Sequence, residues 1–362
     1  MGTSCRGEDV RLQGEGDVSS TGRRICGACT LRRAAAPRQA RSGHSAGMRL
    51  EPLPDVLGER FRTDAARAAG VTAGRLGRAD LHRPFRGVRV RRDALLPSEL
   101  AGAGDVDHAH LERMLAFAPL LTPREFFSHV TAAVLWRLPL PPYLVAAAPV
   151  HVSVLAPHRP PRTAGVVGHQ AMPKLTGVQL HPATGLPVTS PVTTWAMLAS
   201  VLTDVRDLVA VGDALIRTWR TEHPMAGIDD VEGAIRQGRR VGIERLREAL
   251  PLIRDRAASR PETWARLILL DAGLEEPELN VDIRVAGVHE ACVDLAYPRQ
   301  RTAIEYEGEH HLTDPEQWAH DIARYERLAS AGWRVVRVTR TELFGAPERF
   351  VRRVRAALTA TT

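Results

Sequence analysis

Near the C-terminus, the stretch VDLAYPRQRTAIEYEGEHH (293–311) gathers Asp294, Glu305, Glu307, His310 and His311. On a β-strand Glu305 and Glu307, two residues apart, share one face. If that face is buried, unpaired carboxylates there are costly. A hard cation removes the cost. Mg2+ binds one or two carboxylates together with water and substrate phosphate, lowers the pKa of a bound water and stabilises charge developing on phosphorus. His310 and His311 are the nearest groups for a general base, a general acid or a phosphate contact, and are equally readable as exposed turn histidines. Taken alone, the E-x-E is as well explained by a solvated strand face balanced by Arg299, Arg301 and Arg324. The upstream Asp294 and the order of the surrounding elements favour a site.

Those elements follow from periodicity and punctuation. Ser259 and Pro261 open a helix whose apolar face holds Trp264, Leu267, Ile268 and Leu270, and Gly273 stops it. Leu279 to Val285 and Val288 to Leu295 alternate about Ala286-Gly287, which predicts an antiparallel hairpin ended by Pro298. A third strand is predicted over Thr302 to Glu307 and a helix over Pro315 to Ala331. A fourth strand is predicted over Trp333 to Val338, then a last helix from Pro347. The order is α-β-β-β-α-β, with Asp294 near the end of the second strand.

Residues 258–345 resemble the PD-(D/E)xK restriction-endonuclease-like superfamily, and particularly its compact very-short-patch-repair (Vsr)-type endonucleases. The matching stretches are 293–311, WAHDIARYERL (318–328) and GWRVVRVT (332–339). The resemblance implies an α/β nuclease core that hydrolyses phosphodiester bonds in DNA with Mg2+ or Mn2+. It places Asp294 and Glu305 on the metal, and Glu262 is similar to the helical glutamate that completes the metal site in parts of the superfamily. A first-turn glutamate stabilising the helix dipole reads equally well at that position. A lysine normally follows two residues after the second acid; here Glu307 stands in its place. Glu307 cannot supply that positive charge, and can instead bind metal or accept a proton from water. A second expectation therefore stands beside the nuclease: a DNA-binding regulator or antitoxin-like protein with an inactive nuclease fold. A third is a module that docks a protein partner.

Upstream, the stretch FRTDAARAAGVTAGRLGRADLHRPFRGVRV from Phe61 reads as helix, turn, helix from Thr72, and basic wing. Arg75 and Arg78 would share a face of the second helix, and Arg86, Arg89, Arg91 and Arg92 would decorate the wing, the first four being candidate DNA contacts. A small helical cap with a solvated arginine face is the alternative. Through Ala66 to Gly70 and Arg83 to Val88 the segment resembles the winged-helix start of AbiEi-type antitoxins.

The expected organisation is multidomain α/β. Residues 1–47 form a disordered or misannotated extension, with Met48 a candidate true start, and 48–97 a winged helix-turn-helix-like domain. Residues 98–250 form a mixed α/β middle domain, and 251–362 the nuclease-like domain. In the middle region helices are predicted around His110 to Phe117 and over Arg124 to Leu138, Thr193 to Leu202 and Asp207 to Ile216. Strands are predicted over Val150 to Leu155, Gly165 to His169 and Thr176 to His181, and a polar helical stretch runs from Ile228 to Arg256. Its histidines, His129, His151, His169 and His181, show no metal-ligand spacing and read as satisfied surface or core residues.

Composition excludes a membrane-spanning segment and points to a cytoplasmic protein: 44% hydrophobic and 25% charged residues, no long apolar run, and charged residues interrupting the N-terminus. The net charge of +7 suits DNA. Lys174 being the only lysine, the same charge also fits a GC-rich coding bias. A protein partner or homodimer is compatible with the chain. Four cysteines make no disulfide framework, and Cys26-x-x-Cys29, even with His44, is short of a zinc site.

Overall fold

The computed structural model describes residues 51–102, 104–285, 288–308 and 315–360, a mixed α/β, multidomain-like arrangement with three sheets. The expected N-terminal extension with Met48, Cys26, Cys29 and His44, and the pair His310 and His311, lie outside the described residues.

The first described segment holds β1 (Arg60–Arg62), α1 (Thr63–Ala68), β2 (Leu81–His82) and β3 (Val88–Arg91). The strands form an antiparallel sheet of order β1-β3-β2 over a small core of Leu53, Phe61, Ala66, Val71, Leu76 and Leu81. A helix, a turn and an antiparallel strand pair follow one another, but the second helix expected from Thr72 is a single 3-10 turn, Arg75–Gly77. Gly70, Gly74 and Gly77 punctuate this stretch, Gly70 at φ 86°, and each glycine costs about 1 kcal/mol relative to alanine in a helix. Too few residues remain between them to nucleate one.

The middle region contributes α2 (Asp105–Phe117), β4 (Glu125–Phe127), α3 (His129–Leu135), α4 (Pro142–Ala147), β5 (Val150–Leu155) and β6 (Val166–Ala171). It continues with β7 (Val178–Leu180), β8 (Pro187–Thr189), α5 (Pro191–Leu198), α6 (Val205–Ile216), α7 (Ile228–Arg236) and α8 (Ile243–Ala249). Its sheet runs β6-β5-β4-β8-β7, mixing parallel and antiparallel pairs. The helix expected over Arg124 to Leu138 is a strand followed by a shorter helix. Glu125, Phe126 and Phe127 are buried on both faces of β4, a pattern periodicity alone does not separate from a buried helix. The Ile228 to Arg256 stretch is broken at Gly242, which adopts φ 79° where a Cβ would meet the Ala199 carbonyl oxygen at 2.2 Å.

The C-terminal part runs α9 (Arg260–Asp271), β9 (Glu278–Val285), β10 (Val288–Tyr297), β11 (Thr302–Glu307), α10 (Pro315–Ser330), β12 (Arg334–Thr339), α11 (Arg340–Gly345) and α12 (Pro347–Thr359). Sheet order is β12-β11-β10-β9, antiparallel except for the β11/β12 pair, which α10 connects as a crossover. One face packs on α9 and α12 through Leu269, Leu295, Ile304, Phe350 and Val354; the other meets α10 through Ala296, Ala303 and Leu328.

A polar core ties α9 to α6. Fully buried Arg266 pairs with Asp213 at 3.4 Å and Glu276 at 2.9 Å and donates to the Leu252 carbonyl at 2.7 Å. Asp213 also accepts from Thr263 Oγ1 at 2.7 Å and from the Arg254 amide at 2.6 Å. Among the described residues no helix is long and apolar enough to cross a membrane.

Candidate functional site at the acidic end of the C-terminal sheet

Strand register positions the acids. Leu295 pairs with Ile304 and Ala296 with Ala303, and the β10/β11 pairing ends there, so Asp294 and Glu305 come next at the open end of the strand pair. There the Asp294 side chain enters the hydrogen bonding, its Oδ2 accepting the Tyr306 amide at 2.8 Å. Period-2 geometry turns Glu305 and Glu307 to the face covered by α10. From that helix Arg324 donates to both carboxylate oxygens of Glu305, at 3.0 and 3.3 Å, and Tyr325 donates to Glu307 at 3.0 Å. Arg337 of β12 also donates to Glu307 through Nε. Glu305 is buried, and burial pushes its carboxyl up to about 7, with the Asp294 charge adding to the rise while Arg324 opposes it. Burial likewise pushes Tyr325 up to about 12, which keeps its hydroxyl a donor at neutral pH.

Glu262 stands in the first turn of α9. It is buried at 6% exposure, which sets aside a surface first-turn residue. Ser259 and Glu262 form an S-x-x-E start in which Ser259 Oγ donates to Glu262 Oε1 at 2.8 Å and accepts the Glu262 amide at 3.4 Å. Glu262 Oε2 accepts from the Ala258 amide at 2.9 Å and from Asn280 Nδ2 at 2.7 Å. Even so, burial and the nearby Asp294 charge raise its carboxyl to about 7. Asp294 is thus within electrostatic reach of Glu262 on α9 and of Glu305 on the neighbouring strand β11. Asn280 and Tyr325 had no local sequence signal, because each acquires its role only through a partner distant in the chain.

All the candidate donors are hard oxygens, and the Asp294 charge acts on both Glu262 and Glu305, a combination that suits a hard cation. As placed, however, Asp294, Glu305 and Glu307 do not converge as a ligand trio. Among the described residues, the one trio whose ligand atoms lie within 4.8 Å of one another is His129, His151 and His169. The carboxylates of Glu305 and Glu307 turn instead to Arg324, Tyr325 and Arg337, which supply the positive charge and protons that the acids otherwise lack. Beside them a cavity of about 670 Å³ is lined by Tyr143, Trp264, Tyr306, Phe344, Arg260 and Arg340.

The sign of the pH dependence follows. Folded Glu262 and Glu305 hold protons up to about pH 7, whereas the ordinary value is 4.5. Between those limits the folded state binds more protons than the unfolded one, so stability falls as pH rises, by about 3 kcal/mol for each group. In the absence of divalent cations, denaturant unfolding should show a higher midpoint in mildly acid than in neutral buffer. A flat profile across that window would rule out two buried, raised carboxyls.

The candidate DNA contacts near the N-terminus divide. Arg75 is buried, its guanidinium pairing with Asp80 at 2.8 Å and donating to the Glu51 carbonyl, so it is withdrawn from the surface expected of it. Its burial follows from the 3-10 turn, which replaces the helical face that would have presented it. Arg89 is half-buried and donates to the carbonyls of Leu76 and Val88. Arg78 and Arg86 are exposed. A basic cavity of about 440 Å³ adds Arg60, Arg83, Arg91, Arg92 and Arg113, of which Arg60 and Arg113 had escaped the sequence pattern. Arg75→Ala is expected to lower stability by about 1–3 kcal/mol. Arg86→Ala should leave the melting temperature unchanged and flatten the salt dependence of DNA binding by about one phosphate contact. Equal effects of the two variants on melting would reject this division.

No family model matches the chain, and no solved structure matches it. Two proteins of Mycobacterium tuberculosis do: "Uncharacterized protein MT2308" of strain CDC 1551 / Oshkosh and "Uncharacterized protein Rv2248" of strain ATCC 25618 / H37Rv. Each is 32% identical over 193 residues, which cover 53% of this chain and 68% of the relative. The chain therefore belongs to the family of these two mycobacterial proteins.

Proposed function

We propose that the C-terminal part is a restriction-endonuclease-like domain that hydrolyses phosphodiester bonds in DNA, Asp294 and Glu305 being its essential acids. The supporting observation is the electrostatic coupling of Asp294 to both Glu262 and Glu305 in a C-terminal part built in the order α-β-β-β-α-β. Asp294 and Glu305 would hold a Mg2+ or Mn2+ ion, with Glu262 or Glu307 assisting. When bound, the metal would supply a water of lowered pKa and neutralise charge on the phosphate. Glu307, in the position where restriction-endonuclease-like domains usually carry a lysine, is held by Tyr325 and Arg337, so those two residues would bring donors and positive charge there. The arginine-lined cavities at Arg260 and Arg340 and at Arg83, Arg91 and Arg92 would hold the phosphate backbone.

One observation favours the second reading, a DNA-binding regulator with an inactive nuclease fold. The bidentate contact of Arg324 occupies both oxygens of Glu305, a structural use of that acid. The two readings separate on plasmid and single-stranded DNA incubated with Mg2+ or Mn2+. Cleavage by the parent that disappears in Asp294→Ala and in Glu305→Ala supports the enzyme. Retained DNA binding without cleavage under either metal selects the regulator.

A further inference from the structure

Three histidines distant in sequence meet in the middle region. His129 opens α3, His151 lies on β5 and His169 on the adjoining β6, where the two strands pair in parallel with Ser153 beside His169. His151 Nδ1 and His169 Nε2 are 2.9 Å apart, and the His129 ring stacks on that of His169 with centroids 3.9 Å apart. One ligand nitrogen from each ring falls within 4.8 Å of the others. His129 and His151 are buried, and His129 and His169 line a cavity of about 350 Å³ that also includes Gln170, Ser200, Arg239 and Arg240.

The surroundings orient the rings. Ser128 Oγ bonds His129 Nδ1 at 2.9 Å and Ser153 Oγ at 2.7 Å, which leaves His129 Nε2 as that ring's outward-facing ligand. Thr131 Oγ1 accepts the His151 amide at 2.8 Å and contacts His110 Nε2 at 2.9 Å, fixing the backbone that carries His151. His129 takes φ 49°, uncommon for a residue with a Cβ, so the surrounding fold holds this ring against a local preference. Hydrogen-bonded second partners of this kind are what set the tautomer and aim of metal-binding imidazoles.

We infer that His129, His151 and His169 form a site for a divalent transition-metal ion, zinc foremost, with its fourth position open to the adjoining cavity. Three imidazoles with an open position are a recognised ligand set for zinc at Zn–N distances of about 2.0–2.1 Å. In tetrahedral geometry that length sets ligand nitrogens about 3.3 Å apart, so loading requires His151 and His169 to part by a few tenths of an ångström, His129 to close in from within 4.8 Å, and the stacked rings to turn until each lone pair faces the ion. The proton now held between those two nitrogens moves to the far nitrogen of its own ring, and both rings stay neutral. Burial holds all three histidines below their ordinary value, His151 down to about 3, so the neutral ligand form prevails at neutral pH. Imidazole donors separate this site from the oxygen-only acidic cluster, which suits a harder cation.

The full chain, stripped of metal, is titrated with Zn2+ against a competing chelator, and the zinc-loaded protein is examined by X-ray absorption. The expected result is a tight site with imidazole scattering and no sulfur. His169→Ala, at a half-buried position, and His129→Ala should each weaken Zn2+ binding by about 100-fold or more. The double variant Asp294→Asn/Glu305→Gln should bind Zn2+ as the parent does. The inference is overturned if the parent takes up no Zn2+, if sulfur scattering places the ion on Cys26 and Cys29, or if the acidic double variant loses Zn2+ as the histidine variants do. The absorption measurement needs no variant, so it decides even if a histidine substitution prevents folding.

Discussion

Asp294→Asn should abolish metal-dependent DNA cleavage and at the same time stabilise the metal-free protein above neutrality. The first effect follows from the proposed role: loss of an acid that holds the cation removes several kcal/mol from the transition state, about 1000-fold or more in rate. The second follows from electrostatics. The Asp294 charge helps to hold Glu262 and Glu305 near 7, and asparagine removes that charge while keeping an oxygen to accept the Tyr306 amide. Both glutamates then ionise more readily in the folded state. Stability rises by about 1–2 kcal/mol where they are charged and is unchanged in acid, where they are protonated in the parent as well. Melting curves with a chelator, paired with plasmid cleavage assays, read both effects. Lost cleavage without stabilisation would mean that the acids are not coupled as the geometry implies; stabilisation without lost cleavage would remove Asp294 from the chemistry. An opposition of this kind, in which function keeps an arrangement that stability disfavours, is common at active sites.

Arg266→Met should be the most damaging single change to folding. Arg266 is the buried cation for Asp213 of α6 and for Glu276, and it also satisfies the Leu252 carbonyl. Removing it leaves Asp213, 1% exposed, with only neutral donors. Breaking a buried pair from one side costs about 3–5 kcal/mol, and about 10 °C in melting temperature for a structure of this size. Burial already pushes Asp213 up to about 6 despite Arg266, so without the arginine it will hold its proton higher still. The defect should therefore shrink in acid, and Arg266→Met/Asp213→Asn should recover a good part of the loss at neutral pH. A loss below about 1 kcal/mol, typical of exposed pairs, would show that this network is not what joins α9 to α6.

The C-terminal elements were legible because their signals are local. Ser259 and Pro261 start α9 and Pro298 closes β10, and the alternation of Leu279 to Val285 and of Thr302 to Glu307 states which residues lie on one face. The acids followed, since two residues apart on a strand means the same side. The second helix expected from Thr72 shrinks to one 3-10 turn because Gly74 and Gly77 interrupt it. Strand β4 is illegible in the sequence because a short, fully buried segment carries no period that separates it from a helix.

Local residue pattern was enough to give the element order of the C-terminal sheet and to place Asp294 toward the end of one strand and Glu305 and Glu307 on the next. Period and punctuation are properties of neighbouring residues and survive without the fold. Packing between distant segments is what sets Arg324, Tyr325 and Arg337 on those acids, Asn280 on Glu262, and Arg75 inward onto the Glu51 carbonyl. It alone brought together His129, His151 and His169, three histidines with no spacing to connect them. Each of these depends on which helix covers which sheet face and on strand pairing between distant segments, and on how much water is removed from a charge when the layers close. None of that is written in local spacing, because it is set by contacts between residues far apart in the chain.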